Sequence, residues 1–309
     1  KTAYEIPKRD WSSDVCSSDL AMLDCLSNGR VISGFARGIP REYQVHNVAL
    51  ADSRARFEEA YEIVTRAWTE DVFSYSGKFW SYKDVALWPR PVQKPHPPVM
   101  IPIVGSQESI EFAARHNIGI TPGLAGGGLR DDIVRHYARS LKAAGHRITP
   151  DHLSLAVNAY VADSKERAVR EVAPYHLYFN RTLFSHGSFT ETAAQRAAGY
   201  VGERSTDYVR PENQRAAALL REDFRNMTFE GFQRAAENLP YGTPKEVTER
   251  IIAQAEQAGA NMVQIGLNRG AMPHEMFIEQ IRRFAADVLP ALQAHEVRRV
   301  PAADALEAA

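Results

Sequence analysis

A chain of 309 residues, 44% hydrophobic and 24% charged, has the balance of a globular protein and enough length for one large core or two smaller ones. Its 37 Lys plus Arg against 38 Asp plus Glu leave a formal net charge of −1, which offers no basic surplus for nucleic acid and no like-charged tail. No apolar run reaches the ~18 residues of a membrane-spanning helix, and the polar start predicts no signal peptide, so a cytoplasmic location is expected. Cys16 and Cys25 form neither a metal-ligand spacing nor a disulfide framework. No pair of histidines has the H-E-x-x-H spacing, so no metal is expected.

Residues 1–20 contain a small repeat, Ser12-Ser13-Asp14 and Ser17-Ser18-Asp19, with neither strand nor helix periodicity. Trp11 to Leu20 resembles a translated adaptor sequence, and we read residues 1–20 as a non-native segment; a genuine flexible terminus fits the same residues. From Ala21 the pattern is regular. A helix runs to Ser27, and Asn28-Gly29 ends it, since both residue types accept the positive φ of a helix C-terminus. A strand over 30–36 follows, with Arg37 flanked by small residues at its C-terminal end. Ligands sit at that end of strands in parallel α/β folds. On this stretch alone Arg37 reads as a solvated loop arginine before it reads as an anion ligand.

Residues 52–70 predict a helix capped by Asp52 or Ser53, with Phe57, Ala60, Tyr61, Val64, Ala67 and Trp68 on its apolar face. Residues 72–82 predict a hairpin turning near Gly77 and covering that helix. A proline-rich connector, Pro89 to Pro98, leads to the apolar strand 99–104. Gly105, Ser106 and Ser109 then open a helix. Such a turn binds an anion, because glycine lets the ligand approach, the helix N-terminus offers N–H groups, and the hydroxyls add donors. Ser106 acting only as a helix cap explains the same residues. A short strand over 117–121 enters the loop Pro122 to Gly128, readable as a clamp, a lid or a plain connector. A helix over 130–144 and a strand over 153–161 come next.

Residues 163–242 read as a mostly helical or irregular insertion before the last strand, of the kind that forms substrate pockets. Thr243-Pro-Lys-Glu246 is a capping box with proline at the first helical position, and Gly259 ends that helix. The strand 261–267 carries Asn268-Arg269-Gly270 at its C-terminal end. A final helix presents Phe277, Ile281, Phe284, Val288 and Leu292, and residues 297–309 read as a tail. Strands alternating with helices imply a parallel sheet.

Four pieces of this chain, "AMLDCLSNGRVISGFARG" (21–38), "YSGKFW…WPRPVQKPHPPV" (75–99), "VGSQESIEFAARHN" (104–117) and "GTPKEVTERI…GANMVQIGLNRGAMPHE" (242–275), together resemble the luciferase-like family of flavin-dependent monooxygenases. The resemblance covers about residues 21–296 as one domain and is weakest in 163–242. It implies a (β/α)8 barrel that binds reduced FMN, or in one branch the deazaflavin F420, at the C-terminal ends of its strands. It also implies that Arg37, Ser106 and Ser109, with Gly105 beside them, hold the flavin phosphate. Five strands are legible where the family has eight. By order they match strands 4 to 8, so the barrel is expected to be incomplete, and no residue here matches the histidine that serves chemistry in many members.

The leading function implied is a monooxygenase that uses reduced FMN and O2 on a small organic substrate. A flavin reductase partner and a homodimer are implied with it. An F420-dependent hydride-transfer reductase, and a flavin-binding protein without turnover, are the alternatives.

Overall fold

The computed structural model describes residues 13–38, 42, 43, 46, 48–104, 106–123, 127–185 and 222–307. The described residues up to Ile101 form one compact unit, and those from Pro102 onward form a second.

In the first unit, helix α1 (Ser13–Ser27) begins well before Ala21. Trp68 donates its indole N–H to the Ser17 carbonyl at 3.0 Å, and Ser17 and Ala21 are buried, so packing holds a segment whose own sequence lacks helical periodicity. Asn28 (φ 55°) and Gly29 (φ 77°) end the helix as expected, with the Gly29 N–H returning to the Asp24 carbonyl at 2.9 Å.

The strand expected over 30–36 shortens to β1 (Ser33–Gly34), parallel to β4 (Val99–Ile103) with Ser33 opposite Val99. The reason lies opposite it. Pro95, Pro97 and Pro98 have no N–H to donate, so residues ahead of Ser33 cannot join a ladder. The Gln93 side chain takes over, donating to the Val31 carbonyl and to the Asp24 carboxylate.

Helix α2 (Ser53–Thr69) buries Tyr61, Ile63, Val64, Ala67 and Trp68. Neither expected cap operates: Asp52 occupies the N-cap position but makes no side-chain cap bond, because its carboxylate pairs with the Lys78 ammonium at 2.8 Å. The expected hairpin forms as β2 (Phe73–Ser76) and β3 (Ser81–Val85). Its turn is tied to α2 by the buried Glu59, whose carboxylate accepts from the backbone N–H groups of Lys78, Phe79 and Trp80 at 2.9–3.2 Å. A Cβ at Gly77 would lie 2.0 Å from the Glu59 Oε1, so the carboxylate requires glycine there.

In the second unit, the end of β4 leads to helix α3 (Gln107–Arg115) and β5 (Gly119–Pro122), and the Gly123 N–H donates to the Ile103 carbonyl at 2.9 Å. Helix α4 (Gly127–Ala143) follows, so Gly127 and Gly128 belong to its first turn, while residues 124–126 of the expected loop lie outside the described residues. Ile120 bridges Leu153 in parallel.

The strand expected over 153–161 is two strands. The first, β6 (Ser154–Asn158), pairs in parallel with β9 (Met262–Gly266). The second, β7 (Tyr160–Val161), pairs in parallel with β8 (Tyr241–Gly242), which the sequence did not mark. The break is at Ala159, whose N–H still reaches the Gly266 carbonyl at 3.1 Å before the next residue turns to the Pro240 carbonyl. The buried Gln280 amide then both donates to and accepts from the Val161 backbone, replacing a missing neighbour strand. Among the described residues, β9 pairs with β6 alone, so the pairing does not extend to a closed barrel.

The expected insertion begins as helix α5 (Lys165–Ser185). The turns read at 185–187 and 199 fall in or beside residues 186–221, outside the described residues. Helix α6 (Phe229–Ala236) precedes β8. Helix α7 (Pro244–Ala258) shows the predicted capping box, and Gly259 ends it at φ 66°. Helix α8 (His274–Asp287) turns the expected Phe284 inward, with Phe277 against the core and Val288 buried just beyond it, but leaves Ile281 exposed and buries Gln280, which bonds to β7. The short α9 (Leu289–Gln293) follows Val288. Val297, Val300 and Ala303 are buried at the start of and just before α10 (Pro301–Glu307).

Candidate functional site

Arg37 lies just past the C-terminal end of β1. The ladder continues for one bond, from the Phe35 N–H to the Met100 carbonyl at 2.9 Å. Phe35 packs edge-on against Tyr61 and Trp68 of α2, with ring centroids 5.9 and 6.2 Å apart. The chain then leaves the sheet at Arg37 and Gly38. The Tyr43 hydroxyl donates to the Arg37 carbonyl, and burial raises the Tyr43 pKa while the Arg37 charge acts in the opposite direction. Arg37 itself is half-buried.

Ser106 and Ser109 come together in the second unit. Ser106 is the N-cap of α3 and accepts from the Ser109 N–H at 3.4 Å and from the Ser109 hydroxyl at 3.2 Å. It therefore does cap the helix, and capping leaves both hydroxyls at the positive end of the helix dipole. The Ser106 hydroxyl donates to the Glu108 carboxylate at 3.1 Å, so an acidic oxygen occupies a donor that a phosphate would use. Two hydroxyls and a helix N-terminus are the donor set that suits an oxyanion. Gly105 lies outside the described residues, and Arg37 belongs to the first unit.

A third group of polar residues escaped the sequence reading. It is formed by His176 of α5, Tyr241 of β8 and Arg269 beyond the C-terminal end of β9. His176 and Tyr241 are buried at 7% and 1% exposure, with the Tyr241 hydroxyl 3.5 Å from His176 Nδ1. Arg269, three residues past the end of β9, lies beside Tyr241 and stands 4.5 Å from the centroid of the Phe179 ring. Its Nε is buried without a hydrogen-bond partner. Burial lowers the Arg269 pKa. Burial, then the nearby Arg269 charge, pushes His176 down to about 4, so the imidazole is neutral at pH 7. The neutral imidazole can accept at Nδ1, so the Tyr241 hydroxyl can donate to it. The Asn268-Arg269-Gly270 turn at a strand end was the one signal of this cluster. His176 sits in a stretch without readable periodicity.

Among the described residues, no group of three His, Cys, Asp or Glu side chains could hold a metal ion, and no helix is long and apolar enough to cross a membrane. The sequence model of the luciferase-like monooxygenases matches residues 15–262. The chain is 24% identical over 294 residues to the oxygenase component of a flavin-dependent trigonelline monooxygenase of Acinetobacter baylyi, spanning 94% of this chain and 75% of that one. It is 26% identical over 295 residues to an FMNH(2)-dependent dimethylsulfone monooxygenase of Pseudomonas putida, spanning 94% and 73%. The crystal structure of the monooxygenase RslO1 from Streptomyces bottropensis superposes with a TM-score of 0.62 at 26% identity, over 90% of this chain and 74% of that one. With the model matched across most of its length, this chain belongs to the luciferase-like monooxygenase family.

Proposed function

We propose that this protein is an oxygenase that uses reduced FMN and O2 to oxidise a small organic substrate, with a separate reductase supplying the flavin. The observation that carries this reading is the Ser106–Ser109 pair at the N-terminus of α3, directly after a parallel strand, in a chain of this family. Ser106 and Ser109 donate to the flavin phosphate, Gly105 leaves room for its approach, and Arg37 supplies the charge. Reduced FMN, when bound, supplies the electrons that activate O2. The chain's own work is to hold the cofactor, orient the substrate and exclude water. The parallel pairs of β1 with β4 and of β6 with β9 support reading these strands as members of a (β/α)8 barrel in consecutive order. The described parts of 163–242, helix α5 and residues 222–242, then lie on the substrate side.

The test compares FMN with riboflavin, which has the ring but no phosphate. A hydrogen bond to a charged group contributes ~1.5–3 kcal/mol, so Arg37→Ala should weaken FMN binding ~10- to 150-fold and leave riboflavin nearly unchanged. Equal loss for both ligands removes Arg37 from the phosphate site. Binding of F420 in place of FMN turns the reading to hydride transfer without O2.

A further inference from the structure

Among the described residues, Arg269 is a cation without an anion. No carboxylate among the described residues pairs with it; its contacts are the Tyr241 hydroxyl and the face of Phe179. Its Nε is buried with no acceptor, although the residue as a whole is only half-buried. A guanidinium in such surroundings is normally paired, because removing charge from water is costly without a counter-ion. The position is also a functional one, beyond the C-terminal end of β9, where ligands approach a parallel sheet. The turn is held there closely: a Cβ on Gly270 would lie 2.9 Å from the Tyr175 carbonyl and 3.1 Å from the Tyr178 ring. The backbone beside Arg269 is thus packed closely against α5.

We propose that Arg269, with Tyr241 and His176, is the binding site for the carboxylate of an organic acid, and that this acid is the substrate class of the oxygenase. The assignment of the acid as substrate rests on the oxygenase reading; the carboxylate site itself does not. The donors match a monoanion. One fixed positive charge and one phenol stand beside a neutral imidazole, and a planar guanidinium presents its N–H groups in the fork that fits a carboxylate. A phosphate dianion would leave half its charge uncompensated. The surroundings suit an apolar or aromatic body behind the acid group. Phe179 lies against the guanidinium, and Phe232 packs on His176 with centroids 4.5 Å apart. Tyr241 stands between Arg269 and His176, its hydroxyl 3.5 Å from His176 Nδ1, and contributes the phenol of the site.

The test is calorimetric titration of the flavin-free protein with benzoate and octanoate, each beside its neutral amide, with FMN binding measured separately. The acids should bind and the amides should bind far more weakly. Arg269→Gln should reduce acid binding by about 10- to 150-fold, to the level of the amides, and leave FMN affinity unchanged. Arg269→Lys should restore part of it. Tyr241→Phe keeps the buried ring, so it tests the site without emptying the core, and it should weaken the acids several-fold and not the amides. The inference is overturned if neither acid binds better than its amide, or if Arg269→Gln leaves acid binding intact in a protein that melts like the parent. If the acids are discriminated while FMN does not bind, the carboxylate site stands and the flavin reading falls. If Arg269→Gln abolishes FMN binding instead, Arg269 belongs to the cofactor site and the carboxylate assignment falls.

Discussion

Replacing Glu59 with alanine should release the β2–β3 turn from α2. The Glu59 carboxylate accepts from three successive backbone N–H groups: Lys78 at 3.2 Å, Phe79 at 3.1 and 3.2 Å, and Trp80 at 2.9 Å. Glu59 is 9% exposed, so these bonds form where water competes weakly. At ~1.5–3 kcal/mol for each hydrogen bond to a charged group, three donors set an upper limit of about 5–9 kcal/mol. The turn is at the surface, with Lys78 exposed, so water replaces much of what is lost, and bonds to one carboxylate are not additive. We expect about 2–4 kcal/mol. Hydrogen exchange reads this locally: protection of the amides of residues 78–80 should fall about 30- to 1,000-fold. Gly77→Ala should act in the same direction, because the new Cβ would fall 2.0 Å from Glu59 Oε1 and 2.7 Å from the Tyr75 ring. Unchanged exchange at residues 78–80 in Glu59→Ala would refute the reasoning, since it would mean the carboxylate holds nothing.

Two further outcomes follow from charge. The His176 pKa lies at about 4 in the folded chain against an ordinary 6.5, so the unfolded chain takes up the proton first. Stability is complete above pH 6.5 and declines as pH falls toward 4, by at most about 3 kcal/mol. Chemical denaturation followed from pH 7.5 to 4.5 should show this decline, and His176→Phe should remove that part of it. The Glu108 carboxylate accepts from the Ser106 hydroxyl and repels an incoming phosphate, so Glu108→Gln should tighten FMN binding several-fold and leave riboflavin unaffected; flavin fluorescence titration measures both.

The local elements were legible because their signals are local. The Asn28-Gly29 stop, the Thr243–Glu246 capping box, the Gly259 terminus and the Gly77 hairpin each depend on residues within a few positions of one another. The Ser106–Ser109 pair was readable for the same reason, since a cap and its first turn span four residues. Together the motifs were enough to place the chain in its family.

What failed in the sequence reading depended on distant partners. The strand over 30–36 shrank because the segment facing it is rich in proline and meets it through the Gln93 side chain, 62 residues away from Val31. The strand over 153–161 divided because two different neighbours, β9 and β8, compete for its two halves. On α8 the buried Gln280, which spacing did not mark, is held by Val161, 119 residues distant. Apart from the Asn268-Arg269-Gly270 turn, the cluster of His176, Tyr241 and Arg269 has no local pattern, since His176 and Tyr241 are 65 residues apart and meet only when β8 lies beside β7. Periodicity, caps and turns are written in neighbouring residues, so the sequence by itself determined most of the helices and the stops at Asn28-Gly29 and Gly259. Which buried polar groups face one another is decided by strand pairing and the desolvation that packing imposes, and only the tertiary structure holds that information.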